Sequence, residues 1–225
     1  TSLGATVGPE QNLLQPTPAS CHQVRLPFPI ISNEDLGKLL YISEEGGATG
    51  EGELRWVVDP LDGTVNFLYG NPHFAVSVAC EDGDGTIAGV VLDPVRSECF
   101  AATRSGPPTL GGGLDGASIR GSSGDRLDAT MVATGFAYDA GMRSRQAAVA
   151  ARVLPRARDL RRAGAAALDL GWCACGRVDA YYERGVHAWD IAAGALIAER
   201  AGLAVRRLPA EGKDLAGIVV AAPEL

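Results

Sequence analysis

Trp56-Val57-Val58-Asp59-Pro60-Leu61-Asp62-Gly63-Thr64-Val65-Asn66-Phe67 runs from an apolar strand into a polar turn. Leu54 to Val58 reads as a buried strand. Asp59 precedes a proline, which pushes it toward an extended conformation. Pro60 lacks the N–H of a ladder, so ordinary pairing is expected to stop there. Gly63 permits backbone angles or a close approach that a Cβ would block. Thr64 adds a hydroxyl and a backbone N–H at the mouth of a short helix. Two carboxylates, the Leu61 carbonyl and one hydroxyl thus converge at the end of a strand. Hard oxygen donors of this kind suit Mg²⁺ rather than zinc. Asp-Pro and Asp-Gly are also ordinary turn dipeptides, so the reading depends on what surrounds them.

Just upstream, Tyr41-Ile42-Ser43 leads into Glu44-Glu45-Gly46-Gly47, a third and a fourth carboxylate. Ala48 to Glu53 is small and polar, as expected of a loop between two strand ends. Downstream, Phe74 to Cys80 and Thr86 to Leu92 read as paired strands about a turn at Glu81 to Gly85. Glu98 to Thr103 follows as a third antiparallel strand. Residues 104–126 are rich in Gly and Ser and read as loop, with a short strand around Ala117 to Arg120. Thr130 to Thr134 is a further strand, and Met142 to Val153 a helix.

Arg158 to Arg162 reads as a short strand or as the approach to a helix over Ala163 to Cys175. Gly164-Ala165-Ala166 stand near that helix start, whose free N–H groups could meet a phosphate or whose small residues could serve close packing. Ala180-Tyr181-Tyr182-Glu183 ends a strand on a carboxylate. Asp190 reads as the N-cap of an apolar helix running to about Ala201, and His187 as a packing or surface residue. Leu203 to Arg207 and Ile218 to Ala222 are the last strands. Upstream of all this, five prolines break residues 1–40, where Ser32 to Leu36 could cap a short helix toward Leu40. The expected organisation is a poorly ordered segment 1–40 and one domain over 41–225.

Composition bounds the function. The 225 residues are 46% hydrophobic and 21% charged, with a net charge of −7, in the range of a soluble globular chain. That charge argues against a nucleic-acid surface. The densest basic run, Arg156 to Arg162, is broken by Asp159 and apolar residues and reads as a solvated helix face. Five scattered cysteines, an odd count, read as reduced thiols of an intracellular or organellar compartment rather than a secreted framework. No run reaches the length of a membrane-spanning helix, and no signal peptide is evident. The chain begins with Thr1, as a fragment or a processed product would.

Taken in order, Glu44-Glu45-Gly46, Trp56 to Phe67, Ala180 to Glu183 and Trp189-Asp190-Ile191-Ala192-Ala193-Gly194 resemble the inositol monophosphatase family, within the Mg²⁺-dependent, lithium-sensitive phosphatases. The resemblance covers roughly Tyr41 to Glu224. It implies an α/β fold, a layered αβαβα sandwich. It further implies that Glu44, Asp59, the Leu61 carbonyl, Asp62 and Asp190 bind two or more Mg²⁺. Gly63 and Thr64 would hold the phosphate, the Thr64 hydroxyl helping to orient the attacking water. Gly164, Ala165, Ala166 and Glu183 would line the sugar-alcohol pocket, and Glu45 would support the site from behind. The implied reaction is in-line hydrolysis of a small phosphorylated polyol, with myo-inositol 1-phosphate the leading substrate. Homodimers are common in the family.

The chain departs from the family pattern in places. A Thr-x-x-Asp segment and two long helices are expected before Glu44 and are not legible in residues 1–40. No C-terminal helix is legible after Ala222. Ser43 stands where Gly is usual, and Ala165 where Ser or Thr is frequent. The family's other substrates, histidinol phosphate, sugar bisphosphates and 3′-phosphonucleotides, stay open. So does an inactive, truncated member that acts as a binding protein.

Overall fold

A computed structural model describes residues 40–43, 47–49 and 52–225, the first two stretches as backbone strands. The short helix expected before Leu40, the character expected of 1–39, and Glu44-Glu45-Gly46 lie outside the described residues.

β1 (Leu40–Ser43), β2 (Gly47–Thr49), β3 (Arg55–Asp62), β4 (Ala75–Asp82), β5 (Gly85–Asp93), β6 (Glu98–Thr103), β7 (Thr109–Leu110) and β8 (Ala117–Ser118) form one sheet in the order β2-β1-β3-β4-β5-β6-β7-β8. β1 runs parallel to β3, with Ser43 opposite Val58, and the other neighbours are antiparallel. β9 (Met131–Thr134), β10 (Asp159–Arg161), β11 (Ala180–Arg184), β12 (Ala204–Leu208) and β13 (Gly217–Ala221) form a second sheet in the order β10-β9-β11-β13-β12. The described α-helices are α1 (Thr64–Leu68), α2 (Ala140–Val153), α3 (Ala166–Ala174) and α4 (Ala188–Arg200).

α3 and α4 lie side by side between the sheets. α3 is buried along nearly its whole length and α4 from Ile191 to Ala198, as expected of helical segments apolar all round. One core joins Val57, Val91 and Phe100 of the first sheet to Leu168, Leu170 and Ile197 of the helices and to Tyr181, Ile218 and Val220 of the second sheet. Each such large side chain contributes roughly 1.5–3 kcal/mol by leaving water. Strand alternation turns Val132, Tyr182 and Val219 to the opposite face. There they meet Val149 and Val153 of α2 across an apolar cavity of about 410 Å³. Four layers of the expected sandwich, β-α-β-α, are therefore described.

Two glycines set the spacing. A Cβ on Gly89 would come within 2.8 Å of the Ala193 backbone, and one on Gly194 within 2.7 Å of Leu170. α4 thus rests directly on β5 and against α3.

Several boundaries differ from the sequence reading. Ala48 and Thr49 belong to β2 rather than to a loop, because they pair with Ile42 and Tyr41. Arg156 to Arg162 is no helix face: it holds the turn after α2 and then β10, the strand alternative read for Arg158 to Arg162, paired in parallel with β9. The Gly/Ser-rich stretch forms β7 and a 3₁₀ turn at Gly113–Asp115 in addition to the short strand expected from Ala117, which is β8. The ladder of β3 does break at Pro60, but it resumes at Asp62. Pairing jumps from Asp59 opposite Ser77 to Asp62 opposite Ala75.

Candidate active site

That jump is the key local event. Residues three apart on a regular strand point to opposite faces. One extra residue on β3 reverses the parity. Ser77 and Ala75 share a face of β4, so their partners Asp59 and Asp62 share one as well. Asp59 Oδ1 then accepts the Leu61 N–H at 2.9 Å, closing a small turn across Pro60. The Thr64 hydroxyl donates to the Leu61 carbonyl at 2.9 Å. Gly63 carries φ +85°, and α1 begins directly after it.

Asp190 arrives from the other end of the chain. It is the third residue of α4, not its N-cap. His187 stands at the cap, and its backbone N–H donates to Asp190 Oδ2 at 2.6 Å. The reason is ordinary helix-end chemistry, in which a carboxylate in the first turn reaches back to an N–H that has no helical partner. The Ser77 hydroxyl donates to the Trp189 carbonyl at 3.2 Å and ties this turn of α4 to β4. His187 is exposed and stacks on Trp189, ring centroids 4.7 Å apart.

Asp59, Asp62 and Asp190 each present a carboxylate oxygen, all within 4.8 Å of one another. Asp59 and Asp62 are buried. Burial pushes the Asp62 carboxyl well above the ordinary range, and the charges of Asp59, Asp190 and Asp169 push the same way. The Ala167 N–H, donated to Asp62 Oδ2 at 2.7 Å, opposes them. Three such groups crowded together need a cation to stay ionised. Oxygen-only donors at a strand end fit a hard divalent ion such as Mg²⁺.

These residues open into a cleft of about 290 Å³ whose wall includes Leu61, Gly63, Thr64, Gly164, Ala166 and Glu183. The sequence-predicted residues are therefore together in one place, with three exceptions, Ala165, Glu44 and Glu45. The Ala165 side chain is buried in the core, where a Cβ on Gly63 would meet it at 3.2 Å. Glu44 lies outside the described residues, although β1 leads up to it and ends at Ser43, opposite Val58. Glu183 accepts the Tyr181 hydroxyl at 2.7 Å. Its carboxyl packs so tightly on Gly135 that a Cβ there would lie 1.9 Å away. Burial raises its pKa, while the Tyr181 hydrogen bond and the Arg162 charge lower it. The larger apolar cavity under α2 touches this cleft at Gly135 and Glu183, but none of the three aspartates lines it.

Sequence reasoning missed four residues here. Asn66 is buried and donates to the carbonyls of His73 and Ala163, at 2.7 and 2.8 Å, joining α1 to the segment before Gly164. Its place inside the quoted stretch was the available signal. Gly135, Asp169 and Arg162 gave none, because each matters through neighbours far away in sequence.

The model of the inositol monophosphatase family matches residues 19–224. The inositol-1-monophosphatase SuhB of Mycobacterium tuberculosis is 43% identical over 189 residues, covering 81% of this chain and 65% of that protein. The Nus factor SuhB of Escherichia coli is 44% identical over 165 residues, covering 72% of this chain and 60% of its own length. The chain thus spans just under two thirds of the curated relatives it matches. The solved structure of Mycobacterium tuberculosis SuhB superposes with a TM-score of 0.72 at 41% identity, over 83% of this chain and 71% of that one.

Proposed function

The chain belongs to the inositol monophosphatase family, and from that premise we propose that it hydrolyses a small phosphate monoester with the help of Mg²⁺, myo-inositol 1-phosphate being the leading substrate. The observation that carries this reading is the trio Asp59, Asp62 and Asp190, crowded within 4.8 Å in a partly buried cleft. Asp59, Asp62 and Asp190, with Glu44 and the Leu61 carbonyl by family resemblance, would hold the metal. Bound Mg²⁺ would supply positive charge to the phosphate and make water a better nucleophile.

The chain's own groups do the rest. Asp59 and the Leu61 N–H hold the turn that aims two carboxylates at one point. The single proton of the Thr64 hydroxyl is committed to Leu61, so toward an attacking water this oxygen acts as an acceptor. Gly63 and Thr64 would seat the phosphate. Glu183, kept in place by Tyr181 and Gly135, would accept hydrogen bonds from the leaving-group hydroxyls.

The test is phosphate release from myo-inositol 1-phosphate with and without Mg²⁺, beside Asp59→Asn. Mg²⁺-dependent release that falls by about 10²–10³ or more in the variant is expected, the size of other electrostatic deletions. Histidinol phosphate, a sugar bisphosphate and a 3′-phosphonucleotide run in parallel to rank substrates. Relatives named Nus factor SuhB motivate a second reading, a binding role for the same fold. A folded chain that binds Mg²⁺ and hydrolyses none of these esters would favour it.

A further inference from the structure

Arg162 is the one arginine on the cleft wall among the described residues. It follows β10 and precedes the left-handed Gly164, φ +93°. A Cβ on Gly164 would come within 2.5 Å of Arg162 Nη1 and 3.1 Å of Asn66 Nδ2. The guanidinium therefore lies folded over this glycine in space that any other residue would fill. Gly164 in turn touches Gly63, at the end where the phosphate would sit, since a Cβ on Gly63 would lie 3.3 Å from its carbonyl. In the other direction the same cation is close enough to act on Glu183 and Asp169, lowering both carboxyls against the burial that raises them. Nothing among the described residues forms a hydrogen bond or a close ion pair with the Arg162 side chain, while other arginines of this protein, such as Arg96 and Arg177, are locked to carboxylates. Arg162 is exposed, and its guanidinium offers donors at the wall of a cleft whose other charged groups are acceptors.

We propose that Arg162 is a specificity residue that donates to oxygens of the leaving group, opposite Glu183 as acceptor, and so selects polyol esters over esters with a bare leaving group. A hydroxyl is both donor and acceptor, and two neighbouring hydroxyls can satisfy Glu183 and Arg162 together. A leaving group without hydroxyls leaves both unpaired, which is the strongest form of discrimination a polar site has. The inference rests on the phosphatase reading and assigns the part of the substrate that Arg162 reads.

The experiment compares wild type, Arg162→Met and Arg162→Lys on myo-inositol 1-phosphate and on 4-nitrophenyl phosphate in saturating Mg²⁺, with melting temperature as a check of folding. Arg162→Met keeps the apolar stem and removes the donors. It should raise KM for the inositol ester about tenfold with little change in kcat, the scale of one charge-assisted hydrogen bond. It should leave kcat/KM on the nitrophenyl ester within about twofold, and Arg162→Lys should recover part of the loss. Equal losses on both esters would mean that Arg162 acts on the shared phosphate or only balances the charge of Glu183 and Asp169, and the inference fails. It fails equally if neither ester responds. A wild type inactive on both esters overturns the phosphatase reading itself, a result distinct from either of these.

Discussion

Gly63 shows what a single residue decides in this site. Its φ of +85° lies where a side chain costs about 1–2 kcal/mol. A Cβ would also stand 3.0 Å from the His73 carbonyl and 3.2 Å from Ala165 Cβ. Gly63→Ala should therefore lower the melting temperature by about 3–8 °C and depress turnover at the same time. Calorimetry of the purified variant checks it, and an unchanged melting temperature would show that the turn adapts freely. Glu183 and Gly135 form a similar pair, in which the absence of one Cβ makes room for a carboxylate on the cleft wall.

At the scale of elements, the site is a meeting of ends. β3 supplies two aspartates through its bulge, and α4 supplies the third from its first turn. α3 offers the Ala167 N–H to Asp62. Their relative positions depend on how closely α4 packs, and Gly194 sets its distance from α3. Gly194→Val would drive the side chain into Leu170 and force the helices apart. A loss of about 1–3 kcal/mol is expected, read as a lower urea midpoint with unchanged slope. Because Asp190 rides on α4, the same variant should also weaken Mg²⁺ binding measured by calorimetry. A variant that melts earlier yet binds Mg²⁺ as before would show that the first turn of α4 keeps its place independently of the spacing between α3 and α4.

For the molecule as a whole, three carboxyls, Asp62, Asp169 and Glu183, are pushed up chiefly by burial. Each holds its proton more tightly folded than unfolded. Their contribution to stability is therefore full below the ordinary carboxylate range and is lost as pH rises through the raised folded values. Without added metal the protein should be less stable at about pH 8 than a protein lacking these groups, by an amount that shrinks toward about pH 4. Asp169 gives the clean test, since it is not among the three clustered aspartates and its Oδ1 finds no partner. Asp169→Asn should gain urea resistance over wild type as pH is raised from about 4 to 8. A constant difference across that range would count against burial as the cause.

The sequence by itself determined the set of oxygen donors and most of the elements. Asp59, Asp62, Gly63 and Thr64 announced a strand that ends in a metal-type turn, because strand periodicity and turn chemistry depend on near neighbours alone. The apolar runs marked α3, α4 and most of the long strands for the same reason. Asp190 was legible as a helix-start carboxylate, though its place at the third position and not the cap was set by where His187 ends the preceding turn. Only the tertiary structure decided which of these groups meet. The parity of Asp59 and Asp62 depends on a bulge that exists only when β3 pairs with β4. Ala165 turned inward because the core needed its face, and Arg162, read as one charge in a solvated run, was folded over Gly164 into the cleft. Those outcomes rest on contacts between residues far apart in the chain, and local physics carries no trace of them until the layers close.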